Sequence, residues 1–120
     1  MTLQECYAAL EGDYEAVIGR LRSDRLVQKF VLKFLDDSSY DLLNTSMESE
    51  NWEEAFRAAH TIKGMCQNLS FTKLEVSSTA LTEALRGSDI EEGKRLKPQV
   101  DADFRQTVEA IRTFKASVEG

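Results

Sequence analysis

Apolar residues recur every three or four positions along almost the whole chain, and that period predicts helix nearly throughout. A short first helix is expected from about Leu3 to Leu10, ending at Gly12. A second covers about Tyr14 to Leu21, with Asp13 as its cap. Ser23 and Asp24 then cap a long helix from about Arg25 to Met47, in which Val27, Phe30, Val31, Phe34 and Leu42 recur at helical spacing. The polar stretch Glu48-Ser49-Glu50-Asn51 interrupts the pattern, and Asn51 is well placed to cap the next helix.

From Trp52 to about Leu69 the period is clearest. Trp52, Ala55, Ala59, Ile62, Cys66 and Leu69 are spaced 3, 4, 3, 4 and 3 apart, the seam of a helix packed inside a bundle. Ser70 breaks it. A further helix spans about Thr72 to Arg86, with Leu74, Leu81, Ala84 and Leu85 inward and Phe71 sealing its start. Gly87-Ser88-Asp89 makes a turn, with a cap at Ser88 or Asp89. The last helix runs from about Ile90 to Ser117 and is expected to bury Leu96, Val100, Phe104, Val108 and Ile111. Pro98 lies inside that pattern, so it should either kink the helix or divide it in two. The expected fold is all-α: an antiparallel four-helix bundle with one or two short additional N-terminal helices.

The seam determines what the opposite side of the Trp52–Leu69 helix presents. At ~100° per residue, Glu53, Phe56, Arg57, Lys63, Gly64 and Gln67 all lie within roughly 60° of His60. The only histidine of the chain therefore stands mid-helix on a face that should meet water. Gly64 follows one turn later, although glycine costs ~0.8–1 kcal/mol relative to alanine in a helix interior. It clears space beside the imidazole; the competing reading, close helix packing, is disfavoured because Gly64 lies off the seam. Lys63 can extend an ammonium towards an anion held on His60, or can be an ordinary solvated lysine. An imidazole in water titrates near ~6.5, and its neutral form is nucleophilic. Such a ring can take a phosphoryl group from an aspartyl phosphate and yield it to another aspartate, provided that the partner supplies Mg²⁺ and electrostatic stabilisation.

Composition narrows the class further. The 120 residues suit one domain, expected to span 1–120, and the chain reads as a complete small domain. A net charge of −6 argues against non-specific binding to nucleic acid or anionic lipid. There is no apolar run of bilayer length and no signal-peptide pattern at the start. Cys6 and Cys66 are too few and too far apart for a disulfide framework or a zinc motif, which favours a cytoplasmic protein with two small buried thiols. No phosphate-cradling glycine loop, nucleophile–base pair or metal-ligand cluster is legible, and His60 and Cys66 do not share a face.

The segment Ala59-His60-Thr61-Ile62-Lys63-Gly64 resembles the signature of His-containing phosphotransfer (HPt) domains, a small residue followed by His-Thr-Leu/Ile-Lys-Gly. The resemblance continues through Asn68-Leu69, Phe71, Leu74, Leu81 and Ala84-Leu85-Arg86. Upstream it takes in Gly12-Asp13, the helix with Phe30 and Phe34, and the polar loop before Trp52. It implies that His60 is the phosphoacceptor, Lys63 the phosphate neighbour and Gly64 the clearance position. It further implies a carrier in multistep His–Asp phosphorelays, without kinase or phosphatase activity of its own. Its partners would be receiver domains of response regulators and of hybrid histidine kinases, and the chain a monomer. No cofactor is expected on this chain, Mg²⁺ being held by the receiver. Phe56 is the candidate apolar contact of the docking patch, or else is tucked against a neighbouring helix; Arg57 and Gln67 are further candidates for docking or phosphate contact.

The sequence departs from the family pattern at Met65 and Gln67, where members carry small residues. Gln67 can hydrogen-bond the phosphoryl group or a ring nitrogen, or it can narrow access. Thr82 stands where some members have a glutamine that orients the histidine. Two other readings compete. A sensor-kinase phosphoacceptor helix would usually have an acidic residue after the histidine, where this chain has Thr61. A non-catalytic helical adaptor would leave His60 incidental.

Overall fold

Side-chain caps mark out most of the helices. A computed structural model describes residues 1–119 and shows seven helices among them, with no strand. They are α1 (Leu3–Leu10), α2 (Tyr14–Leu21), α3 (Asp24–Phe34), α4 (Ser39–Glu48), α5 (Trp52–Leu69), α6 (Thr72–Arg86) and α7 (Ile90–Glu119). Thr2 and Glu5 form a reciprocal capping box at the start of α1. Asp13, Ser23 and Asn51 accept from the backbone N–H three residues on, as their sequence positions lead one to expect, and Asp89 does the same for α7.

One long helix from Arg25 to Met47 is not what forms. The chain breaks between Phe34 and Ser39, where the N–H groups of Leu35, Asp36 and Asp37 donate to carbonyls three residues back instead of four. The Asp37 carboxylate then accepts from the Ser39 N–H at 2.8 Å, ahead of the first turn of α4. Phase explains the break. Val27, Val31 and Phe34 form the buried face of α3, and the next buried apolar residue is Leu43. On a continuous helix Leu43 would point about half a turn away from Phe34 at ~100° per residue, so a straight rod could bury only one of them. Phe30 and Leu42, which the sequence pattern groups with the core, are instead exposed, at 39% and 42%.

The final helix shows the opposite outcome. It is continuous through Pro98, not divided, and extends two residues beyond the expected end. Pro98 is exposed, so water can meet the carbonyl that its missing N–H leaves free. Val100 and Ile111 are buried as expected, but Leu96, Phe104 and Val108 are only half-buried. The inner line runs through Gly93, Asp103, Thr107, Ala110 and Phe114 as well. Asp103 is tolerated there because Gln99 Nε2 donates to its carboxylate at 2.9 Å and the Lys73 ammonium lies 4.0 Å away, while Thr107 satisfies its own hydroxyl by donating to the Asp103 carbonyl at 2.8 Å. Phe104 stacks on Tyr40, ring centroids 3.8 Å apart, joining α7 to α4.

From α4 onward each helix packs on the next, and the helices together form a bundle. α5 lies between α4 and α6, α6 against α7, and α1 along α7, while α3 touches both α5 and α7. The seam residues Ala55, Ala59, Ile62, Cys66 and Leu69 are buried, Trp52 half so, and Ala84 of α6 is also half-buried. Both thiols are fully buried and free, and burial pushes the Cys6 thiol up to about 11.

The α1–α2 junction clamps the end of α5. Tyr7 Oη donates to the Leu69 carbonyl at 2.7 Å, and the Asp13 N–H donates to the Ser70 carbonyl at 2.8 Å. Gly12 lies in this contact, and a Cβ there would sit 2.7 Å from the Ser70 carbonyl oxygen and 2.9 Å from the Tyr7 ring. Gly12→Val is therefore expected to destabilise the protein by about 1–3 kcal/mol, the usual cost of overpacking. An unchanged urea midpoint would show that the junction yields.

Candidate functional site

His60 occupies the middle of α5 and is exposed, because the residues on the other side of that helix are committed to the core. Ala55, Ala58, Ala59, Ile62 and Cys66 are each at most 2% exposed, which leaves the helix no freedom to rotate. The imidazole makes no hydrogen bond among the described residues. Its aromatic neighbour is Phe56, one turn earlier, with ring centroids 5.8 Å apart and planes at 50°. Both ring nitrogens are thus free of internal partners.

The neighbours on this face divide by how much they are already engaged. Arg57 is held by Glu53 at 2.7 Å and Glu54 at 2.9 Å, all three on α5. Such exposed pairs are weak and can open, but Arg57 enters the site largely neutralised. Arg86 reaches across from the end of α6, its guanidinium 5.0 Å from the centre of the Phe56 ring while it pairs with Glu83. Lys63, half-buried one turn after His60, has no carboxylate partner among the described residues. Of the cations Arg57, Lys63 and Arg86, it is the one left to meet an incoming anion.

At Gly64 the surface is open. A Cβ built there would meet nothing within 4 Å, in contrast to Gly12 and to Gly93, whose Cβ would sit 3.0 Å from Leu85. The packing explanation of this glycine is therefore wrong: no neighbouring helix uses the space. Gln67 is exposed and its side chain has no hydrogen-bond partner among the described residues, while its carbonyl accepts from Arg20 at 3.0 Å. Thr82 is fully buried and donates to the Ser78 carbonyl at 2.7 Å, so it does not orient the imidazole. Phe56 combines its two expected roles, being half-buried against the core and in contact with the imidazole.

The sequence-predicted residues Phe56, Arg57, Lys63, Gly64 and Gln67 thus share one surface with His60. Arg86 is the neighbour that helical spacing alone does not bring in, since it comes from another helix and no local pattern links it to Phe56. Chemically the arrangement offers an exposed imidazole with both ring nitrogens unpartnered, one uncommitted cation beside it and room for a bulky group to approach. No helix among the described residues is long and apolar enough to cross a membrane.

Comparison with curated proteins and with solved structures returned no match. Against models of known families, residues 26–114 match the Hpt domain, a span that runs from α3 into the last turns of α7 and contains the whole of the His60 face. The chain belongs to the Hpt domain family, helical bundles that act as phosphotransfer carriers in His–Asp phosphorelays.

Proposed function

We propose that this chain relays a phosphoryl group between aspartates of receiver domains, those of hybrid histidine kinases and of response regulators, through a phosphohistidine at His60. The observation that carries this reading is the exposed, unpartnered imidazole of His60 beside the empty volume at Gly64. A ring nitrogen lone pair attacks the phosphorus of the aspartyl phosphate in line, the N–P bond forms, and the acyl phosphate P–O bond breaks to release the aspartate carboxylate. The other ring nitrogen stays free to carry or release the proton. Transfer onward reverses the steps with a second aspartate. Mg²⁺, held by the receiver, supplies charge neutralisation at the phosphorus, and Lys63 contributes from this chain. The reading extends to a cytoplasmic monomer, in a compartment where the free thiols Cys6 and Cys66 stay reduced.

The test is transfer of radiolabelled phosphate from a phosphorylated receiver to this chain. The product should be acid-labile and alkali-stable, as a phosphoramidate is and an acyl phosphate is not. Lys63→Ala is expected to slow that transfer about tenfold without preventing it, the scale of a lost charge-assisted contact. Rapid-quench rates that match the wild type would remove Lys63 from the site.

A further inference from the structure

The imidazole of His60 is restrained from one side only. Side chains on a helix lean towards its N-terminus, so the ring lies over the preceding turn, where Phe56 stands, and away from Gly64. The two ring centroids are 5.8 Å apart, inside the range of about 4.5–7 Å over which aromatic pairs attract one another. Nothing else holds the imidazole among the described residues. It makes no hydrogen bond, the Thr82 hydroxyl is turned to the Ser78 carbonyl, and the Gln67 side chain is exposed. Left to itself, a histidine on an exposed helix face samples more than one χ1 well and a broad range of χ2.

Phe56 is itself fixed, and partly by a different helix. It packs against the core from a half-buried position, and the Arg86 guanidinium of α6 lies 5.0 Å from the centre of its ring. Arg86 in turn pairs with Glu83 at 3.3 Å. The imidazole is therefore placed relative to α6 as well as α5, through an aromatic ring that cannot swing freely. On its other side lies the volume at Gly64, where a Cβ would meet nothing within 4 Å. Phe56 is the wall behind the ring and Gly64 the opening before it.

We propose that Phe56 is a positioning residue for the transfer at His60, holding the imidazole in one rotamer so that a ring nitrogen meets the incoming phosphorus in line. This rests on the phosphorelay reading. The nitrogen lone pair lies in the ring plane, so in-line attack needs both χ angles right at once, and every other rotamer is unproductive. Onward transfer makes the same demand, since the N–P bond must then point at the second aspartate. Contact between rings suits this task. A hydrogen bond to a ring nitrogen would engage the lone pair or the proton that the reaction uses, whereas Phe56 leaves both nitrogens free. A docking contact through Phe56 would act on affinity instead.

Phe56→Leu keeps an apolar side chain at the site and removes the ring. Each receiver domain from the same genome, phosphorylated chemically, is offered as donor, and the one that transfers fastest is then varied in excess in rapid-quench experiments. The rate at saturation is expected to fall about tenfold while the half-saturating concentration stays within about twofold of the wild type. Phe56→Tyr, which keeps the ring, should restore most of the rate. Three-bond NMR couplings at His60 should report a single χ1 rotamer in the wild type and an average over rotamers in the leucine variant. If the leucine variant proves misfolded, Phe56→Met should give the same split between rate and affinity. A saturating rate that does not change, with or without a loss of affinity, overturns this inference alone. So does a tyrosine variant as slow as the leucine one, or averaged couplings already in the wild type. A wild-type protein that accepts phosphate from no receiver overturns the phosphorelay reading, and this inference with it.

Discussion

Replacing His60 with Gln is expected to abolish phosphoryl transfer to the chain while leaving its helical content and thermal midpoint as they are. The side chain is exposed, makes no hydrogen bond among the described residues and touches Phe56 only ring to ring, so little of the fold depends on it. Exposed substitutions of this kind usually stay within about ±0.5 kcal/mol, and glutamine is the better helix former of the two. The amide nitrogen of glutamine is not nucleophilic, its lone pair being delocalised into the carbonyl. What is lost is therefore the reaction and not the scaffold, with transfer expected to fall at least ~10³-fold, to the detection limit. Radiolabel from a phosphorylated receiver and circular dichroism on the same preparation separate the two. Transfer to the glutamine variant at the wild-type rate would falsify the assignment of His60.

Gly64→Leu should move stability and activity in opposite directions. Nothing lies within 4 Å of the position a Cβ would take, so the new side chain displaces no neighbour. Removing a glycine from a helix interior is worth about 0.8–1 kcal/mol, and the urea midpoint should rise accordingly. The same side chain stands one turn from His60 on the surface that a receiver must approach, and a misplacement of about 1 Å in such a complex costs ~10²-fold in rate. Single-turnover transfer is therefore expected to fall by about that factor, with Gly64→Ala between the two. Parallel loss of stability and transfer would mean that Gly64 serves packing after all. Gly12 makes the useful contrast, since its valine variant should lose stability and, while folded, still accept phosphate.

The two glycines look alike in sequence but are opposite in structure. Gly12 sits in a turn, where glycine is commonplace, yet its missing Cβ is what lets the α1–α2 junction close on Ser70. Gly64 is the one that draws notice, because a helix interior disfavours it, and its surroundings are empty. A rule about glycine therefore identifies the cost of each position, while only the arrangement of neighbouring backbone tells what that cost is for. For the site, the same limit applies to Arg86. Phe30 fits the apolar period of the core, and only the packed bundle shows it exposed at a groove shared with α5.

Local information determined a good deal. The bounds of α5 and α6, the caps at Asp13, Ser23 and Asn51, and the outward turn of His60 with Lys63 and Gly64 all come from periodicity and capping, which act over a single helical turn. The break between α3 and α4 was not legible in that way, since Phe30, Phe34 and Leu42 fit one helical period as well as two. Nor was the continuity of α7 through Pro98, nor the burial of Asp103 and Thr107 in place of Phe104 and Val108. Those outcomes depend on which side of each helix meets another helix. Only the packed bundle sets that, because burying Leu43 together with Phe34 requires a change of phase, and because the Lys94 carbonyl that Pro98 leaves free has water where a buried one would have none.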